Sequence, residues 1–143
     1  MYAAFTLIAC VVNESHDQRS FPENSMDAIV ADIESGDVQI EGSSGESLVD
    51  ARVYGFSTNA DKAARNQEGV QYNINLENRV LSLDASTNYA NAGVDYLVAS
   101  PTTVDLALDL QNGDATLSDL TGTMVVLANE IDADGMQVFD LSG

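Results

Sequence analysis

Short alternations of apolar and polar residues cover most of the chain from residue 26 onwards. Clear examples are the segments 37–41, 70–76, 80–84 and 104–110, where apolar residues tend to recur at every second position. This period of two is typical of β-strands that bury one face. Glycine, asparagine and aspartate separate the segments, as expected for turns. Only residues 60–67 have the pattern of a helix, so the sequence predicts an all-β domain.

Two sequence offsets relate these strands to one another. The longer offset, of 77 residues, aligns Ile29 with Leu106, Ile33 with Leu110, and Ile40 with Leu117. The shorter offset aligns Val104 with Val125, Leu106 with Leu127, and Leu110 with Ile131. The shorter offset is 21 residues. A fixed period near 20 residues is typical of stacked repeats that bury a common apolar column. We therefore predict a β-solenoid (β-helix-like) with rungs of about 21 residues. A β-sandwich with similar turns is the alternative.

The same turn occurs in two of these repeats. It reads Ser35-Gly36-Asp37 in the first and Asn112-Gly113-Asp114 in the second. Glycine adopts positive φ without a steric penalty, and an aspartate side chain can accept hydrogen bonds from backbone N–H groups at a corner. We therefore predict that Gly36, Asp37, Gly113 and Asp114 are structural turn residues.

An apolar segment precedes the alternating region. Residues 2–12 are almost wholly apolar, but the run is shorter than the ~20 residues of a membrane-spanning helix. Within it, Leu7-Ile8-Ala9-Cys10 resembles the bacterial lipobox, and this resemblance implies that Cys10 carries lipid. No basic residue precedes Cys10, which departs from the signal-peptide pattern. The alternative is a buried first strand with Cys10 in the core.

These features divide the chain into three parts. Residues 1–12 form a signal- or lipobox-like segment, residues 13–25 a polar tether, and residues 26–143 the β-domain. Because the chain ends at Gly143, where a further rung is expected, the prediction includes a truncated C-terminus. We expect an exported protein of the cell envelope that contacts the membrane through a lipid anchor only.

Composition and charge narrow the classes of partner and chemistry. The chain has 143 residues, one cysteine, 5 Lys and Arg and 23 Asp and Glu, giving a formal net charge of −18. A single cysteine excludes an internal disulfide and any zinc site with two or more thiolates. The negative charge argues against nucleic-acid binding, because phosphate contacts need clustered Lys and Arg.

The sequence shows no set of residues with the spacing of a catalytic or metal site. His16 is the only histidine, which argues against a histidine-based triad and excludes a multi-histidine metal site. The segment Glu130–Gly135 resembles the start of a calcium loop, but Leu141 occupies the position that requires a bidentate glutamate. We therefore predict no enzymatic activity, no catalytic residue, no cofactor and no metal site.

Three segments in fixed order carry a family resemblance. They are Val94–Pro101, the turn 112–114, and Leu117-Ser118-Asp119-Leu120-Thr121-Gly122. Together they resemble the putative-adhesin domain family of envelope proteins, whose related domains are auto-transporter adhesin heads. The resemblance covers residues 26–143 and implies a β-helix-like fold, an exported location and no established enzymatic activity.

We accordingly predict a non-catalytic envelope protein with an adhesion-like or structural binding role and an envelope or extracellular ligand. The identity of that ligand and the oligomeric state are left open. The alternative is a carbohydrate-active or calcium-dependent saccharide-binding module. Sugar sites commonly stack rings on aromatic side chains, and Tyr72, Tyr89 and Tyr96 in the central segment are the candidates for such stacking.

Overall fold

The structure, a computed structural model, describes residues 10–135 and 140–142. These residues form strands and one helix in the following order: β1 (Val11–Phe21), β2 (Ala28–Ser35), β3 (Val38–Gly42), β4 (Ser47–Ser57), α1 (Ala60–Glu68), β5 (Val70–Glu77), β6 (Val80–Thr87), β7 (Ala92–Ser100), β8 (Asp105–Asn112), β9 (Asp114–Ser118), β10 (Met124–Leu127), β11 (Glu130–Asp134) and β12 (Asp140–Ser142).

The strands form two six-stranded sheets that enclose one apolar core. Sheet A has the strand order β1-β4-β7-β3-β9-β11, and sheet B has the order β12-β10-β8-β2-β6-β5. Most neighbouring strands are parallel, but β4 is antiparallel to both β1 and β7, and β5 is antiparallel to β6. In the central strands of both sheets, alternate residues point inwards and are buried. Among the largest are Ile29, Ile33, Leu81 and Leu83 from sheet B and Ile40, Tyr96 and Leu117 from sheet A.

The β-solenoid prediction is wrong, because the shorter sequence offset does not relate neighbouring strands. Leu106 lies beside Met124, not beside Leu127. Ile131, expected in one column with Leu110, lies in sheet A, whereas Leu110 lies in sheet B. The antiparallel strands β4 and β5 and the helix between them also interrupt a continuous winding. Alternation marks the buried face of a strand but does not specify its neighbour. The observed strand order makes the fold a two-sheet sandwich.

The longer sequence offset, in contrast, corresponds to pairs of neighbouring parallel strands. Ile29 lies beside Leu106 in sheet B, where β2 pairs with β8. Ile40 lies beside Leu117 in sheet A, where β3 pairs with β9. Both connections, β2 to β3 and β8 to β9, pass from sheet B to sheet A. One offset therefore holds in both sheets.

The predicted helix is α1, which follows β4 and packs against it. The side-chain oxygen of Asn59 caps its start by accepting hydrogen bonds from the backbone N–H groups of Asp61 and Lys62 at 2.8 and 3.3 Å. Gly55 of β4 faces the helix so closely that a Cβ there would overlap the backbone of Gln67. Glycine at this position thus permits the close approach of helix and sheet.

Strand β1 contains most of the segment 13–25, which the sequence predicts to be a polar tether. It pairs with β4 along its whole length and forms one edge of sheet A. Its polar side chains form hydrogen bonds where other strands bury apolar ones. Arg19 donates to the carbonyl oxygen of Ile74 in β5 at 2.9 Å, and Gln67 of α1 donates to Ser15 at 3.0 Å. Charged residues are favoured on edge strands because they oppose pairing with other chains.

Candidate functional site

The outer face of sheet A carries two leucines that packing leaves half exposed. Leu48 of β4 and Leu97 of β7 are each 50% exposed. In the antiparallel pair β4–β7, Leu48 lies opposite Ala99 and Leu97 lies opposite Asp50. The two leucines are therefore diagonal neighbours on one face, at a separation that larger side chains bridge. Together with Ala99 they form an apolar patch.

This patch lines a shallow groove of about 560 Å³. We call it the outer groove. Besides the three apolar residues, it is lined by polar residues that include Gln18, Glu41 and Glu46. The strand register places these side chains in rows across the sheet. One row runs Ser20, Leu48, Ala99, Glu41, Ser118, and the next runs Gln18, Asp50, Leu97, Gln39, Thr116.

The charges that border the outer groove differ in whether they have partners. Arg19 donates two hydrogen bonds to Asp17, at 3.2 and 3.0 Å, which hold the pKa of the Asp17 carboxyl below its ordinary value. The Nδ1 atom of His16 lies 3.0 Å from the Oδ2 atom of Asp50. Among the residues that the structure describes, neither the Glu41 nor the Glu46 carboxylate has a hydrogen-bond or ion-pair partner. The outer groove therefore has an excess of negative charge.

A network of paired charges lies beside the outer groove on the same face. Arg52 of β4 pairs with Glu14 of β1 and, at 3.0 Å, with Asp95 of β7. Its guanidinium also lies 5.0 Å from the centre of the Tyr54 ring, a distance at which a cation is attracted to the ring face. These contacts link three neighbouring strands. Because each charge has a partner, we assign the network to the stability of sheet A.

The four turn residues predicted from the sequence lie together at one corner of the sandwich. The Oδ1 atom of Asp95 accepts a hydrogen bond from the backbone N–H of Asp37 at 2.9 Å. The Oδ1 atom of Asp37 accepts one in turn from the backbone N–H of Asp114, also at 2.9 Å. A Cβ on Gly113 would overlap the carbonyl oxygen of Gly36. The corner is thus a ladder of aspartates on a closely packed backbone.

Cys10, the predicted lipid-attachment residue, immediately precedes β1 and is exposed. The other lipobox positions, Leu7 to Ala9, lie outside the described residues. No helix in the ranges 10–135 and 140–142 is long and apolar enough to cross a membrane.

The three tyrosines proposed for sugar stacking do not share a surface. Tyr96 is only 2% exposed, and its hydroxyl donates to the carbonyl oxygen of Asp84 at 2.7 Å inside the core. Tyr72 lies on β5, where its hydroxyl donates to Asp17 at 2.9 Å. Tyr89 follows β6, and its ring packs against Gly69. Burial of Tyr96 removes it from any ligand site in the folded protein.

Acidic residues form a row on the outer face of sheet B. Asp32 of β2 lies between Asp84 of β6 and Asp109 of β8, in register on parallel strands.

Glu130, Asp132 and Asp134, from the calcium-like segment, lie on β11 in sheet A. Within the part of the chain that the structure describes, no group of three or more His, Cys, Asp or Glu residues has the geometry to hold a metal ion.

Leu48 and Leu97 are not among the site residues predicted from the sequence, although the sequence contains a signal for both. Leu48-Val49 and Tyr96-Leu97-Val98 are consecutive apolar residues inside strands. Because successive side chains of a strand point to opposite faces, such a run must place one apolar residue on the outer face.

No protein-family model and no curated protein matches this chain. Among solved structures, it is similar to a "putative adhesin" from Parabacteroides distasonis, with 12% identity and a TM-score of 0.48 over 90% of this chain and 54% of the other. A "putative cell adhesion protein" from Clostridium sporogenes has 11% identity and a TM-score of 0.37, over 90% and 61%. A "putative lipid binding protein" from Parabacteroides distasonis has 11% identity and a TM-score of 0.46, over 88% and 61%. The chain thus spans little more than half the length of these structures.

Proposed function

We propose that this protein is a non-catalytic binding module of the cell envelope, with an adhesion-like role, and that its ligand contacts the outer groove. The observation that carries the proposal is the exposure of Leu48 and Leu97, 50% each, side by side in that groove. Single exposed apolar residues are common on protein surfaces. Neighbouring exposed apolar residues that line a depression with a polar border are typical of binding sites.

The position of the outer groove supports a binding role. Its leucines lie on β4 and β7, which are hydrogen-bonded on both sides within sheet A. Residues beneath the groove, such as Val49 and Val98, are fully buried. A surface held by a packed sheet changes little on binding, so little conformational entropy opposes ligand association.

We also propose that a lipid on Cys10 attaches the protein to the membrane. The lipobox-like sequence supports this role, as does the exposure of Cys10 ahead of β1. Acylation there would leave the core unchanged. To test the anchor, cells expressing the chain or Cys10→Ser are fractionated with and without detergent. We expect only the parent chain to require detergent for release; equal release of both proteins would contradict the anchor.

The binding role is tested on arrays of polysaccharides and purified envelope and matrix proteins, each with and without calcium. The test variant is Leu48→Ser/Leu97→Ser. The matched control is Val30→Ser/Val125→Ser, because Val30 and Val125 are 43% and 44% exposed on the outer face of sheet B. We expect at least one ligand that binds the parent and the control and is lost by the test variant. Absence of any ligand, or equal loss in both variants, would contradict the proposal.

A further inference from the structure

We infer that the partner of the outer groove is a cationic polypeptide segment that presents Lys or Arg and apolar side chains on the same side. This inference rests on the proposed function, because it names the chemistry of the ligand for the same surface. It follows from the apolar patch, from the unbalanced carboxylates beside it and from their spacing across the strands.

The apolar patch determines which side chains can be accepted. Leu48, Leu97 and Ala99 present hydrocarbon surface that an apolar side chain can cover. The methylene groups of Lys and Arg can cover it as well, while their charged ends remain at the polar border. A purely polar segment would remove water from this surface without replacing it by apolar contact.

The carboxylates determine the sign of the partner. Glu41 and Glu46 line the outer groove, and both are exposed and lack side-chain partners among the described residues. The nearby cation, Arg19, is occupied by Asp17 and by the carbonyl oxygen of Ile74. Since the chain as a whole has a formal net charge of −18, its long-range field also attracts cations.

The strand register sets the spacing between apolar and charged contacts. Glu41 lies directly beside Ala99, which lies directly opposite Leu48. Because adjacent strands are about 4.8 Å apart, Glu41 is roughly 10 Å from Leu48 across the sheet. A Lys side chain that lies over Ala99 can therefore place its ammonium group near Glu41 while an apolar side chain on the same side of the segment covers Leu48.

The test measures binding of fluorescent peptides of equal length by polarisation at about 150 mM NaCl, where screening limits long-range attraction. The peptides place Lys and Leu, Lys and Ser, or Glu and Leu two residues apart, so that both side chains point to the same side of an extended segment. The variants are Leu48→Ser/Leu97→Ser and Glu41→Gln/Glu46→Gln. Their matched controls on sheet B are Val30→Ser/Val125→Ser and Asp32→Asn/Asp84→Asn, which remove similar apolar area or equal charge from the other face.

We expect the Lys–Leu peptide to bind about tenfold more tightly than either other peptide, a difference of about 1.4 kcal/mol. We expect both outer-groove variants to lose about tenfold in affinity, and both sheet B controls to bind as the parent does. A thermal unfolding curve for each variant verifies that it is folded.

Four results would overturn the inference. If the Lys–Ser peptide binds as well as the Lys–Leu peptide, attraction is by net charge alone. The same conclusion follows if the sheet B controls lose as much affinity as the outer-groove variants. If the Glu–Leu peptide binds equally well, the groove accepts apolar ligands regardless of charge, and the proposed function stands without this partner. If the protein alone self-associates in sedimentation and Leu48→Ser/Leu97→Ser abolishes the association, the occupant is a second copy.

Discussion

The side chain of Asp37 accepts a hydrogen bond from the backbone N–H of Asp114, 77 residues further along the chain, at 2.9 Å. The two residues begin neighbouring segments of sheet A after equivalent crossings from sheet B. The longer offset in the sequence aligns the same two Gly-Asp turns. The bond thus gives the repeated turn a physical role, since it satisfies a corner N–H group that the strand ladder does not reach.

Replacing Asp37 tests this role. We expect Asp37→Ala to lower the free energy of unfolding by about 0.5–1.5 kcal/mol, because the variant loses an acceptor while the exposed N–H of Asp114 regains water. Asp37→Asn retains an oxygen acceptor and should lose less. Urea unfolding monitored by circular dichroism measures both values. Equal losses in the two variants would show that the hydrogen bond contributes nothing.

Replacing either of two glycines with positive φ by alanine should lower stability, but by very different amounts. Gly36 has φ of +135°, and a Cβ there would overlap the carbonyl oxygen of Val94. Gly45 has φ of +92°, and nothing lies within 4 Å of its added Cβ. We expect Gly36→Ala to unfold the protein or destabilise it by more than about 3 kcal/mol, a loss of the size seen for severe core disruption. Gly45→Ala should cost about 1–2 kcal/mol from backbone strain alone.

Melting temperatures of these two alanine variants measure the difference. A Gly36→Ala protein that melts at the same temperature as Gly45→Ala would contradict the close packing of the corner against β7.

Repulsion within the row of aspartates on sheet B should make the removal of one of these charges stabilising. Asp32 has Asp84 on one side and Asp109 on the other. Like charges directly opposite one another on adjacent strands are destabilising by about 0.2–1 kcal/mol per pair. We therefore expect Asp32→Asn to raise stability at low ionic strength. Asp109→Asn should raise it less, because Asp109 has Leu127 on its other side.

Urea unfolding in about 0.01 M and about 1 M NaCl checks the electrostatic origin, because the screening length falls from about 30 to 3 Å between them. The gain from Asp32→Asn should be largest at low salt and nearly absent at high salt. A gain that is independent of salt would point to a cause other than charge repulsion.

Burial of Tyr96 predicts a loss of stability in alkali. Burial raises the pKa of its hydroxyl well above the ordinary range, because the tyrosinate would lose water inside the core. The folded state therefore binds this proton more strongly than the unfolded state does. The resulting stability is fully present below about pH 10, the pKa of an unfolded tyrosine, and decreases as the pH rises above it.

The comparison with Tyr96→Phe isolates this contribution. At neutral pH we expect the variant to be less stable by about 0.5–1.5 kcal/mol, because the hydrogen bond to Asp84 is lost. Above about pH 10 the gap between the two proteins should narrow, since only the parent has the ionisable group. Unfolding midpoints measured across this range would contradict the explanation if the two curves declined in parallel.

Local pattern was sufficient to predict several elements, because each depends on neighbouring residues only. Alternation identified the buried faces of β5, β6 and β8, and the short polar pattern located α1. The longer offset matched neighbouring strands because β2 and β8 are equivalent crossings. The order of strands was not predictable in this way. Period two is the same whether Ile131 lies beside Leu110 or beside Ala115, and only packing of the whole sandwich decides between them.

Two other features depend on tertiary contacts that sequence pattern does not encode. Strand β1 resembles a tether because it has few apolar residues, yet hydrogen bonds such as that from Arg19 to Ile74 hold it in place. The pattern around Tyr96 is compatible with either face, because apolar residues occur on both faces of its strand, yet its ring is in the core. The outer groove is predictable in part from the sequence. Three consecutive apolar residues in β7 require that one of them lie on the outer face.

Ligand binding on the outer face of sheet A is tested most directly by an NMR titration. The strongest ligand from the arrays is added to ¹⁵N-labelled protein, and the backbone amide shifts are followed. We predict changes centred on Leu48 and Leu97 and on their neighbours Gln18, Glu41 and Glu46, with the amides of Val30 and Val125 unaffected. Changes centred on Val30 and Val125, with none at Leu48 or Leu97, would contradict the account.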